Sequence, residues 1–582
     1  VFTRGSSATV VGSDGLVQFA PNNLALYSGQ LVIGTGWAAN TTPSVTSIVD
    51  GLGPDGNNAY EVTEIANTGT HVLFNTGGTG TSGATSVVSG TTYTGSIFIK
   101  KVAVSVDWIQ LSFSTVGFGS DQYANFNISN GTVGNFSSSS PQIQDAGNGW
   151  YRCSISVVAT ATTTTTSNLF LAFTNNTDTT SRLLSYAGST ANKILAAMCQ
   201  FEIGSTVRPY NQTTTAVFYG PRFDHDPVTL ACKGLLIEES RTNQIIQSED
   251  FGTTWSTDGG RVAVATNVIA SPSGATTADK ITENNIILDR RILIGGVTAV
   301  ASTVYTYSCF LKAGERDVAQ LAFGGIFGNQ YQNFIIGGVN AGALGSGSGI
   351  TSPQIIALPN GWYRCTATIT SAGAGATQVT IGPADSSTLG KWGAYLGTVG
   401  SGIYAWGAQL EAGAFPTSYI PTTTASVVRS ADVCSITGSD FTGFYNQSEG
   451  TVYTESRPAT VNGTTTTFGL SNGTSNERWL NRFAQNEQVT VTSAGTESGF
   501  DALNPVAGTL YKAATAGKLN DFAMSINGLA VVTDTSQPMP VVDRAGIGNP
   551  IGLFAGGGAV TIASIRYFRK RLPNAKLQTI TV

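Results

Sequence analysis

The chain has 582 residues, enough for several domains, yet only 11% are charged where about a quarter is usual for soluble proteins. A net charge of −5 and a pI near 5.2 exclude a nucleic-acid binder built on a basic stripe, so no nucleic-acid partner is expected. No apolar run approaches a membrane span and Val1-Phe2-Thr3-Arg4 does not open a secretory signal, so the expectation is a soluble chain without membrane insertion.

With 70 glycines, and Thr, Ser and Asn filling the gaps between apolar residues, the composition predicts short strands joined by tight turns. After an opening segment (1–23), residues 24–216 form the first of two copies of one module, and residues 244–432 the second. Asn148-Gly149-Trp150-Tyr151-Arg152-Cys153 returns letter for letter as Asn360-Gly361-Trp362-Tyr363-Arg364-Cys365, 212 residues later. Pro141-Gln142-Ile143 and Tyr93 to Lys100 recur at the same offset, as Pro353-Gln354-Ile355 and Tyr305 to Lys312. The closing segments Gln200 to Thr215 and Gln409 to Thr424 match at an offset of 209, and Asn23, Ser28 and Trp37 answer Asn243, Ser248 and Trp255. Duplication with small loop changes accounts for the drift. Alternation within each copy, with no credible long helix, predicts antiparallel two-sheet sandwiches of the jelly-roll kind.

In the repeated tryptophan strand, period two puts Tyr151, Cys153, Ile155 and Val157 on one face and Trp150, Arg152, Ser154 and Ser156 on the other. Cys153 and Cys365 are then small buried hydrophobes; six cysteines without CxxC spacing give neither a disulfide framework nor a zinc site. Trp150 with Arg152, and Trp362 with Arg364, are the glycan-binding candidates, because an exposed indole beside a guanidinium suits the apolar face and polar rim of a pyranose. The alternative is that a loop covers each Trp and the Arg closes a stack or an ion pair.

Between the copies, Pro221-Arg222-Phe223-Asp224-His225-Asp226-Pro227 leads to Gly234-Leu235-Leu236-Ile237-Glu238-Glu239-Ser240-Arg241-Thr242-Asn243. Asp224 and Asp226 flank one of only two histidines. No further His or Cys completes a coordination shell, so no metal or cofactor is expected, and Ca²⁺ on these two carboxylates is the one option kept open. These segments, with the opening Phe2-Thr3-Arg4-Gly5-Ser6-Ser7-Ala8-Thr9, resemble tail-fibre and spike proteins of tailed bacteriophages and prophages. The resemblance implies carbohydrate-module-like jelly rolls, a homotrimer, and a place on the virion after assembly in the host bacterial cytoplasm. Its implied partners are other virion proteins and host surface polysaccharide or lipopolysaccharide. Residues 1–23 and 217–243 are expected to pair as a discontinuous β connector into which the first copy is inserted, with Leu16 to Phe19 against Val217 to Phe223.

Residues 433–582 form a third unit, where Asn527-Gly528 between apolar alternations predicts a hairpin. Its end resembles laminin-G or concanavalin-like sandwiches, with a strand over Ser564 to Phe568 and a helical turn over Asn574 to Thr579. Arg566, Arg569, Lys570 and Arg571 are a basic-patch candidate for acidic polysaccharide or a virion neighbour, or a solvated face. The whole reads as an all-β chain of two tandem jelly rolls and a C-terminal sandwich. No paired carboxylates or Ser/His/Asp pattern marks an active site, so no enzyme is expected; the resemblance implies a glycan-binding fibre, with a structural adaptor or a polysaccharide depolymerase as alternatives.

Overall fold

A computed structural model describes residues 1–582 apart from 41–43, 50–51, 77–84, 103–105, 166–168, 462–464, 484–488 and 549–557. It is all-β and falls into two units, Phe19–Gly220 and Val1–Gln18 with Pro221–Val582.

Phe19–Gly220 is a sandwich of two six-stranded antiparallel sheets. The first runs, edge to edge, Ser140–Gly147, Trp150–Val158, Thr92–Lys101, Lys193–Ile203, Ala59–Thr63, Ser44–Val49. The second runs Thr132–Ser137, Tyr123–Asn127, Trp108–Phe113, Leu169–Phe173, Val72–Asn75, Trp37–Asn40. Between them lies a core that includes Ile97, Ile99, Leu111, Phe126, Cys153 and Leu171. Tyr93 stacks on Phe201 at 5.4 Å, and Phe113 meets Phe201 edge-on at the same separation.

The second unit holds the sister module, whose first sheet repeats the order: Thr351–Ala357, Trp362–Thr370, Val304–Ala313, Gly402–Ala412, Thr276–Glu283, Val262–Ala270. Its second sheet has five strands, Ala343–Ser348, Tyr331–Ile335, Val318–Gly325, Gly375–Ala384 and Ile292–Ala299. Register is duplicated too. Lys100 faces Trp150 as Lys312 faces Trp362, and a bulge between Ser96 and Phe98 recurs between Ser308 and Phe310. The turn before each tryptophan strand needs two successive left-handed residues, and Asn148-Gly149 and Asn360-Gly361 supply them (φ 53° and 79°, 61° and 75°).

Invariants of the duplication are polar staples. Asn23 and Asn243 donate to the carbonyls of Cys199 and Ala408, and Ser28 and Ser248 bond the hydroxyls of Tyr210 and Tyr419. The asparagines fasten the module's opening to its closing strand and satisfy buried carbonyls there, and the serines fasten it to the segment that follows that strand.

The C-terminal sandwich has two seven-stranded sheets, and segments from far away complete both. Phe2–Thr3 pairs with Val433 and Cys434, while Cys232–Ile237 pairs with Val560–Phe568 and carries Arg222–His225 on its outer side. Of the segments expected to form a connector of their own, Phe2–Thr3 and Arg222–His225 thus serve here as edge strands, with Cys232–Ile237 next in, while Thr9–Val11 and Val17–Phe19 make a two-stranded sheet. Strands this short bury too little to stand alone, and an existing sheet gives their backbone groups partners. Within Phe19–Gly220, Asn22–Asn23 is the strand that pairs with Phe218–Tyr219. The pairing with Val217 to Phe223 therefore belongs to Asn22–Asn23 rather than to Leu16 to Phe19. The hairpin at Asn527-Gly528 and the helix Asn574–Ile580 are where the sequence puts them. No helix among the described residues is long and apolar enough to cross a membrane.

Candidate functional site: aromatic–cation clusters on the second sheets

The tryptophans of the repeated strand do lie opposite the cysteine face, but that face is not open to solvent. Trp150 is 2% exposed and packs with Phe98, Leu195 and Ala197, its Nε1–H donating to Leu52 O at 3.0 Å. Trp362 is 1% exposed among Phe310, Leu358, Trp406 and Tyr419, and donates to Ala270 O at 3.1 Å. Arg152 lies over Phe98 and bonds Ser96 Oγ and Arg208 O; Arg364 lies over Phe310 and bonds Ser308 Oγ. The expectation of an exposed Trp–Arg pair is therefore corrected. Both pairs are buried brackets: Arg208 of the closing segment covers Arg152, the Leu52 carbonyl meets Trp150, and Tyr419 of the second closing segment packs beside Trp362. Cys153 and Cys365 are buried as expected, and burial pushes both thiols up.

The other singled-out residues have local structural partners. Asp226 caps a turn through the backbone N–H groups of Val228 and Thr229, and His225 Nδ1 lies 3.3 Å from Val11 O. Lys233 sits 3.7 Å from Asp224 and 3.8 Å from Asp226, so an ammonium already bridges the two carboxylates considered for Ca²⁺. Among the described residues, no group of three or more His, Cys, Asp or Glu could hold a metal ion. In the basic patch, Arg566 lies over Tyr453, Arg571 pairs with Asp521 at 2.7 Å, and Arg569 and Lys570 are exposed.

A different surface emerges on the second sheet of each module. In the first copy, Leu169–Phe173 turns Leu169 and Leu171 into the core and leaves Phe170 on the outer face. There it stacks on Phe74 of the neighbouring strand, 5.2 Å apart and 30° from parallel, with both rings half-buried. The guanidinium of Arg182 lies 5.6 Å over the Phe170 ring and bonds Ser112 Oγ and Phe113 O, both at 2.6 Å.

Arg182 comes from a loop held by two amides. Gln110 donates to Asn125 Oδ1 (2.8 Å) and Ser181 O (3.1 Å), accepts from Leu183 N–H (2.7 Å), and Asn125 donates to Thr179 O (2.6 Å).

The second copy repeats the latch. Gln320 donates to Asn333 Oδ1 (2.8 Å) and Gly390 O (3.1 Å) and accepts from Trp392 N–H (2.9 Å), while Asn333 donates to Leu389 O (2.7 Å). Leu183 and Trp392 even share a left-handed backbone, φ 50° and 52°. In the second copy the loop itself brings the aromatic. Half-buried Trp392 has the Arg291 guanidinium 4.2 Å and the Lys391 ammonium 3.8 Å from its ring centroid, and its Nε1–H donates to Thr380 Oγ1 at 3.1 Å. A shallow cleft there is lined by Arg290, Arg291, Gln320, Thr380, Leu389 and Trp392.

Alternation could have shown Phe170, and Gly390-Lys391-Trp392-Gly393 is a visible cue: an indole and a cation bracketed by glycines in a polar loop.

Several buried carboxylates act as anchors. Glu64 accepts from Tyr186 Oη, Ser189 N and Asn192 Nδ2; Glu283 accepts from Tyr395 Oη, Thr398 N and Arg316. Burial pushes Glu249 up to about 7 and Asp279 up to about 6, but Asp279 is fully enclosed and accepts the N–H groups of Phe251 and Asn267.

No protein-family model and no curated protein matches the chain. Among solved structures it is similar to the CBM40 of Ruminococcus gnavus IT-sialidase bound to α2,3-sialyllactose (15% identity, TM-score 0.21, 24% of this chain and 84% of that one). It is also similar to the CBM22-1–CBM22-2 tandem of Paenibacillus barcinonensis Xyn10C (11%, 0.19, 68% and 98%). Domains LG4-5 of the mouse laminin α1 chain are a third (10%, 0.18, 49% and 90%).

Proposed function

We propose that this chain is a non-catalytic glycan-binding protein, a fibre or spike of a tailed-phage or prophage particle that attaches to host surface polysaccharide or lipopolysaccharide. The observation that carries the binding role is the aromatic–cation cluster on the outer face of the second sheet in both copies. A half-buried aromatic pair, Phe74 and Phe170, offers C–H stacking, and Arg182 beside it supplies donors for ring hydroxyls. Two such modules in one chain, multiplied in a homotrimer alongside other virion proteins, would turn weak single sites into avidity. The virion setting rests on the resemblance of the opening and of the Arg222 and Glu238 segments.

The test is a glycan array probed with the wild type and with Phe170→Ala and Trp392→Ala. Retained signals that weaken in at least one variant support the reading; signals unchanged in both remove these faces as the site.

A second reading, a structural adaptor of capsid or tail, is favoured by the burial of Trp150 and Trp362, which takes the repeated strand out of ligand contact. An array without any signal, alongside co-purification with particle proteins, selects it.

A further inference from the structure

The duplication is an internal control: where two copies share a scaffold, their differences point to what each presents. Gln110 and Gln320, and Asn125 and Asn333, hold the two loops alike. What the loops and strands display differs. Arg182-Leu183 of the first copy stands where the second has Lys391-Trp392, Val72 where it has Arg291, and Phe170 where it has Thr380.

The charge at the two clusters differs accordingly. In the first copy the single Arg182 is bonded to Ser112 and Phe113. In the second, Arg290 and Arg291 line the cleft, Lys391 lies over the Trp392 ring and Arg261 joins Arg291 on two carboxylates, Asp258 and Asp289. Both carboxylates are engaged by Arg261 and Arg291. Arg290 is 4% exposed, with its Nη groups on Arg261 O, Asn284 and Ile286 O and its buried Nε atom without a bond partner among the described residues. Lys391 reaches only neutral acceptors, Gly328 O at 3.0 Å and Asn329 Oδ1 at 3.1 Å, and among the described residues it has no ion pair. Burial, then repulsion from Arg291, lowers the Lys391 ammonium to about 8. An ammonium that is partly desolvated and faces only neutral acceptors costs free energy that an incoming anion returns.

We infer that the surface at Trp392 in the second module takes the anionic group of an acidic sugar, a carboxylate or a sulfate, on Lys391, so that the second copy selects acidic glycans where the first takes uncharged ones. This deepens the glycan reading and rests on it. Lys391 supplies the mobile point charge, while Arg291 stays paired with Asp258 and Asp289. Trp392 orders both cations over its ring.

The test uses the full chain on an array printed with neutral, uronate-bearing, sialylated and sulfated oligosaccharides, at low and high salt, with Lys391→Gln and Phe170→Ala. The expected result is a set of acidic ligands whose affinity falls about ten- to a hundredfold in Lys391→Gln, the share of one charge-assisted bond. High salt should weaken them likewise. Carboxylated or sulfated members alone responding tells the two anions apart, and either supports the inference. Acidic ligands that bind no better than neutral ones, or that ignore Lys391→Gln, overturn charge selection while neutral binding lost in Phe170→Ala keeps the glycan reading. An array silent for the wild type overturns both.

Discussion

Arg222 and Glu238 meet at 2.6 Å with side chains 0% and 4% exposed, at the centre of a network that also takes in Arg4, Arg429 and Asp432. Arg4 reaches Asp432 at 2.9 Å, Arg429 stands 3.5 Å from Glu238, and Ser418 gives Glu238 both its N–H and its hydroxyl. The network ties the opening strand, the strands at 222–237, the end of the second module and the start of the C-terminal sandwich into one ion cluster. Removing one partner of a buried pair strands the other, so Glu238→Gln should cost about 3–5 kcal/mol in chemical denaturation of the full chain.

The same carboxylate sets an acid limit. Burial pushes Glu238 up, but Arg429, Arg222 and the Ser418 donors outweigh it and hold the group well below the usual carboxylate range. A depressed folded-state pKa means that the unfolded chain binds the proton first, so this stability is complete above about pH 4.5 and drains away as pH falls further. Denaturation midpoints taken from pH 6 down to 3 should fall steeply in the wild type and less so in Glu238→Gln.

Alternation along the chain placed the strands, the core cysteines and the side of the sheet on which Trp150 and Trp362 stand. It could not show that the outer side is roofed, since the covering residues, Arg208 over Arg152 and Tyr419 beside Trp362, lie roughly 55 residues further along. The ion network was hidden for the same reason: Arg4 and Asp432 carry no shared period and meet only in the fold. Phe170 is legible only by alternation, standing between the inward Leu169 and Leu171, and Trp392 sits on a loop, where no repeat announces which way a side chain turns.

Above pH 4.5 the second module should behave in the opposite sense to the ion network. Burial raises Glu249 to about 7, against the Tyr419 and Trp406 donors, and Asp279 to about 6, against the Phe251 and Asn267 amides. A raised folded-state pKa means that the native state holds protons the unfolded chain has released, so stability falls as pH rises from about 4.5 to about 7. Urea midpoints at pH 5 and pH 8 should differ in that direction, and Glu249→Gln should shrink the difference.

Thiol labelling separates surface from core. Cys232 is exposed and Cys434 partly so, while Cys153, Cys199, Cys309 and Cys365 are buried, with burial pushing all four thiols up. A thiol reagent at pH 8 should find one fast site, lost in Cys232→Ser, a slower second site, and four more only in denaturant.

The amide latches should be worth more as a pair than separately. In the second module, Gln320 and Asn333 bond each other and together hold the loop through Gly390 O, Leu389 O and Trp392 N–H. Removing either leaves the other with buried donors or acceptors unmet, at about 1–3 kcal/mol. Removing both strands fewer groups than the single changes imply. A double-mutant cycle of Gln320→Leu and Asn333→Leu, read by urea denaturation, should therefore give a coupling of about 0.5–3 kcal/mol. Trp392 fluorescence in the single variants should shift toward that of a solvated indole while the transition of the whole chain stays cooperative, because the latch fixes the loop and the sheet beneath it is held by its own ladder. Additive effects with an unmoved emission maximum would mean that the loop is held by Trp392 and its two cations instead.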